Sequence, residues 1–360
     1  MNNPTSSYLT PHVSRFTPHT SHLAFVCIAL LCLIGCQTVP PTVKIGLMAP
    51  FEGTDRALGY EALFATKLAI QERNELGGIN GYQIELIALN DFNHPEKAVQ
   101  QAKALLADPD VLGVVGHFST DCTISALPIY QQADLAVVIP WSISRTAYQG
   151  NWSGTVALAA TKTETESQLR ETQQRLGIEK TVVLTASVLL GTQLPNLSKG
   201  QAIQIQANAI QTGKLIDMLT RTGYKKPVFG GVDSGSQQLI QIAGEAANEF
   251  IFVSPGPSST DINSETFQER YQDMSGLPPT PRAALTYDAT HVLLAAIAKE
   301  TASETTVSRH SVRTAIGQIT QKGVTGMISF DAEGKRLEAP IWVYQIEATS
   351  YPGTKVEKQD

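Results

Sequence analysis

The chain has 360 residues, 27 basic and 33 acidic side chains and a net charge of −6. That balance excludes a nucleic-acid binder relying on a basic face, because phosphate contacts supply most of such affinity. The length is more than one core needs and suits two lobes of about 150 residues each.

The first 36 residues carry Arg15, His12, His19 and His22, no acid, and an apolar run from Leu23 to Ile34. Spanning a bilayer takes about 20 apolar residues, so the run reads as a signal-peptide core rather than a membrane helix. It ends in Leu33-Ile34-Gly35-Cys36, which resembles the lipobox of bacterial lipoproteins; Cys36 would be lipidated and become the new N-terminus. The mature chain would then start with a lipid anchor in an extracytoplasmic compartment, at the periplasm or cell surface, with a net charge near −7 because only Arg15 is lost. Cys27 and Cys32 lie in the signal, leaving Cys122 alone and no internal disulfide. His94, His117, His291 and His310 are not spaced as metal ligands, so neither metal nor cofactor is expected.

Residues 37–42, with Pro40 and Pro41, read as a short tether. Val43 to Met48 is an apolar strand, Gly59 to Leu76 a helix, Gln83 to Leu89 a strand, Glu96 to Ala107 a helix and Val111 to Val115 a strand buried on both faces. Ile124 to Ala133 and Ala136 to Ile139 continue the alternation. Further on come Thr165 to Leu176 (helix), Thr181 to Thr185 and Ala202 to Gln206 (strands), Gln211 to Gly223 (helix) and Val228 to Gly230 (strand). A long helix, Ala283 to Lys299, precedes strands at Gly326 to Asp331 and Ile341 to Ile346. Alternating strands and helices with short loops make an α/β protein with doubly wound parallel sheets.

Ligands of such sheets bind at the carboxyl ends of strands. Two of the loops there are rich in hydroxyls: Ser119-Thr120-Asp121-Cys122-Thr123 and Trp141-Ser142-Ile143-Ser144. Hydroxyls and free N–H groups at a helix start suit a carboxylate, although Ser119 or Thr120 would equally serve as a helix cap. Asp233 is either a partner for a buried ammonium or the cap of a helix near Ser236, and Asp121 has the same two readings. Trp141 is either a lid or a lobe-surface residue, Cys122 a small buried thiol, and His117 a structural histidine. There is no Gly-x-Ser-x-Gly elbow, no Gly-x-Gly-x-x-Gly after the first strand and no phosphate loop, so an enzyme is not expected.

The order of Val43-Lys44-Ile45-Gly46, Gly77-Gly78-Ile79-Asn80-Gly81, Asn90-Asp91 with Pro95, Val114-Val115-Gly116-His117, Ile139-Pro140, Tyr287-Asp288-Ala289, and Gly323-Val324-Thr325-Gly326 with Phe330-Asp331 resembles a known family. It is that of type I periplasmic binding proteins, in the leucine/isoleucine/valine-binding branch of ABC-importer substrate receptors. The resemblance implies two lobes joined by three hinge crossings, the first of residues 43–159 and 258–327, the second of 160–257 and 328–347, with a tail at 348–360. It implies a monomer that closes on an amino acid or a related small amide or carboxylate and delivers it to an ABC permease in the membrane. The alternative is a ligand sensor or interaction protein on the same fold. By position, Thr120 and Ser119 would meet the ligand carboxylate; Trp141, Ser142 and Asp233 would meet the ammonium; and Asn208 would cap the pocket. Leu58 replaces a common Tyr and Ile143 a common Thr, for which Ser144 would substitute. The short connection between Thr181 to Thr185 and Pro195 implies a second lobe lacking one αβ unit.

Overall fold

The apolar run from Thr42 forms β1 (Thr42–Ala49) of a parallel sheet in a computed structural model that describes residues 40–191, 202–303 and 307–356. The expected signal segment, Cys36 included, and residues 192–201, where the second lobe is expected to be short, lie outside the described residues. Residues 1–41 are one unit of the chain, described only at Pro40 and Pro41; the rest is a single body from Thr42 onward.

β1 lies between β2 (Gln83–Asn90) and β3 (Val111–Val115), and β4 (Ala136–Ile139) and β5 (Thr155–Ala157) extend the sheet in the order β2-β1-β3-β4-β5. Every pairing in it is parallel. All residues of β3 and β4 are buried, which is why both read as unbroken apolar runs. The crossovers are α1 (Arg56–Glu75), α2 (Pro95–Leu106) and α3 (Thr120–Gln132).

From β5 the chain passes into α4 (Lys162–Arg175) and a second sheet, where β6 (Thr181–Thr185), β7 (Ala202–Gln206), β8 (Val228–Gly230) and β9 (Ile251–Ser254) run parallel. Helices α5 (Ala209–Arg221) and α6 (Gln237–Ala243) join them. The chain then returns to the first lobe as α7 (Glu265–Ser275), α8 (Pro281–Ser303) and α9 (Arg309–Ala315). The hairpin β10 (Gln321–Gly323) and β11 (Gly326–Ile328) precedes a last crossing, after which β12 (Trp342–Glu347) and β13 (Ser350–Lys355) complete the order β13-β12-β9-β8-β7-β6. Residues 350–355, expected in a tail, thus form an antiparallel edge strand; Tyr351 stacks on Phe252 at 5.9 Å, giving this polar segment an apolar anchor.

Several helices start earlier than apolar spacing implies, because their caps precede polar first turns. Ser119, Thr161 and Asn208 each accept a backbone N–H, and the last two form capping boxes with Glu164 and Gln211. The long helix starts at Pro281 rather than Ala283, with the proline in its first turn, where its missing N–H costs nothing.

Buried polar groups secure the last crossing. The Asp288 carboxylate on α8 accepts from Val324 N at 2.9 Å, Thr325 N at 2.8 Å and Thr325 Oγ1 at 2.5 Å. Arg336, 1% exposed, donates to Thr325 Oγ1 and O at 2.9 Å and to the Met327 carbonyl. This contact accounts for the Tyr287-Asp288-Ala289 and Gly323-Val324-Thr325-Gly326 pieces of the sequence. Among the described residues, no helix is long and apolar enough to cross a membrane.

Candidate functional site

The carboxyl ends of the strands of both sheets border a cleft of about 460 Å³. The first lobe supplies Pro50, Asp55 and Leu58 after β1, Asn93 after β2, and Phe118 and Ser119 after β3. The second supplies the turn from β7 into α5, the loop of Gly231 to Ser236 after β8, and Lys162, Thr165 and Glu166 of α4. Arg282, at the start of α8, completes the wall. Gln238 Nε2 donates to the Thr54 carbonyl at 3.1 Å, so the lobes touch beside the cleft.

A buried network shapes its first-lobe side. His117 Nδ1 lies 2.6 Å from Asp91 Oδ2 and Nε2 lies 3.0 Å from the Tyr130 hydroxyl, all three residues being about 1% exposed. The carboxylate accepts, so Nδ1 donates to it. The other Asp91 oxygen accepts from Asn93 N at 2.9 Å and sets the turn that brings Asn93 to the cleft. Gly116 permits the bend that follows β3: its φ is +131°, and a Cβ there would come within 2.4 Å of the Met48 carbonyl.

Of the residues nominated from sequence, Ser119, Asn208 and Asp233 line the cleft. Ser119 caps α3, accepting from Cys122 N at 3.4 Å, and Asn208 caps α5, accepting from Gln211 N at 3.0 Å. Thr120 Oγ1 accepts from Ser144 N at 3.0 Å, tying the two hydroxyl loops together, and Ser144 Oγ lies 3.2 Å from Thr146 Oγ1. Asp121 is exposed in the first turn of α3, and Ser142 is buried with no partner for its hydroxyl. Trp141 is 3% exposed and points Nε1 at Asp233 Oδ1, 3.4 Å away across the lobes.

Asp233 is already paired. Lys162 Nζ lies 2.7 Å from its Oδ2, with the two side chains 32% and 45% exposed. Solvent screening at such exposure leaves an ion pair about 0–1 kcal/mol, enough to orient both groups but little more.

Arg282 is the unusual group. It is 6% exposed, its guanidinium carbon sits 3.8 Å over the Trp141 ring and 5.7 Å from the centre of Phe118, and Nε and Nη1 are buried without an acceptor. Glu61 Oε2 is 3.8 Å from Nε, too far for a hydrogen bond, and accepts instead from Thr280 Oγ1 at 2.8 Å. Burial lowers the arginine's affinity for its proton and raises that of Glu61 against the attraction between the two. A cation in the first turn of a helix also opposes the helix dipole.

Sequence reasoning missed Lys162 and Arg282. Each carried a signal: Lys162 opens a helix inside the Thr161 to Glu164 capping box, and Arg282 is the one charge in the run Pro281-Arg282-Ala283-Ala284-Leu285.

A family-wide sequence profile described as "Periplasmic binding protein" matches residues 42–199 and 196–351. The leucine-, isoleucine-, valine-, threonine-, and alanine-binding protein of Pseudomonas aeruginosa is 24% identical over 90% of this chain and 96% of its own length. An amino acid binding protein of the same organism is 25% identical over 55% of this chain, a match spanning about half (48%) of that relative. The branched-chain amino acid transporter substrate binding protein LivJ of Streptococcus pneumoniae, solved in complex with isoleucine, shares the fold with a TM-score of 0.73 at 20% identity, over 86% of this chain and 97% of that one.

Proposed function

Because the chain belongs to the periplasmic binding protein family, we propose that it is a lipid-anchored extracytoplasmic receptor that captures a small polar solute in its cleft and presents it to an ABC permease. The observation that carries this reading is the cleft itself. It lies where parallel sheets bind ligands, and Ser119, Asn208, Asp233, Lys162 and Arg282 bring polar groups to it from both lobes. The fold and the relatives support a solute-binding role. The ligand is an amino acid or a related small amide or carboxylate, bound by a monomer.

In this reading an open form takes the solute on one lobe, and contacts to the other lobe made only on closure shift the population. Lys162 and Asp233 are the second-lobe groups best placed to make them, since their mutual contact crosses from α4 to the β8 loop at the cleft wall. Cys36 holds the mature chain at the membrane, more than one acyl chain being needed for stable anchoring.

The test is thermal unfolding of the chain starting at Gln37 against amino acids, aliphatic and aromatic carboxylates, amides and ureas. A ligand at about a thousand times its Kd adds about 4 kcal/mol, a rise of several degrees in the midpoint. A rise confined to one chemical class establishes a receptor. A folded protein that no class stabilises overturns the proposal. For the anchor, Cys36→Ser should release the protein from membranes; a variant still retained there would remove Cys36 from the account.

A further inference from the structure

We propose that Arg282 is the anion-reading residue of the cleft and that the solute is an apolar monocarboxylate carrying no charged amino group. This rests on the receptor reading and narrows its substrate class.

Two observations point the same way. The first is that Arg282 is a buried cation with an unmet demand for acceptors: Nε and Nη1 are shielded from solvent and bonded to nothing, and Glu61 stands at 3.8 Å. Leaving buried donors unpaired is costly, and a carboxylate supplies charged acceptors suited to guanidinium N–H groups. The guanidinium lies over Trp141 with Phe118 beside it, and burial there, with Arg282 6% exposed, strengthens its pull on an anion. The dipole of α8 does not explain a cation at this end of the helix, so the cleft is the better reason for it.

The second is that the carboxylate which would hold an ammonium is engaged. Asp233 faces Lys162 Nζ at 2.7 Å and Trp141 Nε1 at 3.4 Å. An α-amino acid would bring a third cation to a wall where Lys162 already occupies the partner it needs. The other acidic groups on the lining do not replace it. Asp55 Oδ2 accepts from Asn93 Nδ2 at 2.7 Å, and Glu166 is exposed and stands one helical turn beyond Lys162, at a spacing where opposite charges attract. Leu58, Phe118 and Val232 on the lining suit an apolar substituent.

The experiment is calorimetric titration of the chain starting at Gln37 with one carbon skeleton in four charge states: 4-methylpentanoate, leucine, leucinamide and 4-methylpentanamide, with benzoate as an aromatic probe. The expected result is binding of 4-methylpentanoate or benzoate at least tenfold tighter than leucine, with neither amide bound. Arg282→Met, which keeps a chain to cover Trp141, should lose at least tenfold for the carboxylate. The comparison of 4-methylpentanoate with its amide on the parent protein reads the same charge without any variant, should Arg282→Met fail to fold. Leucine binding tighter than 4-methylpentanoate overturns the substrate class while leaving a receptor. Unchanged carboxylate affinity in folded Arg282→Met overturns the role of Arg282. Stabilisation only by neutral solutes of the wider panel overturns both parts and keeps the receptor; stabilisation by none removes the receptor reading itself.

Discussion

Replacing Asp288 by alanine tests how the last crossing between the lobes is held. The carboxylate is 1% exposed and accepts three hydrogen bonds, from Val324 N, Thr325 N and Thr325 Oγ1. Alanine strands two backbone donors and a hydroxyl in a space that Arg336 and Gly323 enclose; a Cβ on Gly323 would lie 2.4 Å from the carboxylate atoms. Each stranded buried donor costs about 1–3 kcal/mol. Against this stands the burial of the charge, which pushes the Asp288 pKa above the ordinary aspartate range despite the hydrogen bonds and the charge of Arg336. The net expectation is a loss of about 2–4 kcal/mol, or a midpoint lower by roughly 5–10 °C. Urea denaturation of the chain from Gln37, with hydrogen exchange at Thr325 to Met327, reads both the loss and its location. Asp288→Asn, which keeps the volume and one acceptor, should lose about half as much. An Asp288→Ala protein within about 0.5 kcal/mol of the parent would show that these hydrogen bonds do not hold the crossing.

Other expectations follow from the same geometry. Cys122 is fully buried, and burial pushes its thiol up to about 12, so iodoacetamide at pH 8 should leave it intact in the native protein and modify it fully in denaturant; native labelling at the denatured rate would contradict that burial. Gly116→Ala forces a side chain into φ +131° and against the Met48 carbonyl, and should lower stability by more than about 2 kcal/mol; unchanged urea unfolding would show that the bend relaxes freely. For Glu72, burial raises the pKa, but neighbouring His291, the Tyr287 hydroxyl and Arg270 outweigh it and the net shift is downward. A carboxylate with a lower pKa folded than unfolded stabilises above its unfolded value and loses that contribution as pH falls through the folded value. Glu72→Gln should therefore flatten the acid limb of stability below the ordinary value of 4.5, and an unaltered limb would rule Glu72 out as its source.

The fold was largely legible in the sequence because strands buried on both faces, such as Val111–Val115 and Ala136–Ile139, cannot hide their apolar runs. Helix starts were less so, since Thr161 and Asn208 place capping boxes before polar turns that dilute the apolar period. Residues 350–355 were missed because an edge strand that anchors through Tyr351 needs little apolar alternation. In the cleft, loop position and the family resemblance nominated Ser119, Asn208 and Asp233, which line it. They did not reveal that Asp233 meets Lys162 or that Arg282 stacks on Trp141, because those partners are 71 and 141 residues apart in sequence and meet only when each lobe folds.

Whether the cleft between the sheets takes a small carboxylate is decided by a crystal structure of the chain from Gln37 grown with 4-methylpentanoate. The carboxylate is expected against the guanidinium of Arg282, with the Lys162 and Asp233 pair intact beside it. A ligand bound elsewhere, or one in the cleft whose carboxylate faces away from Arg282, would contradict it.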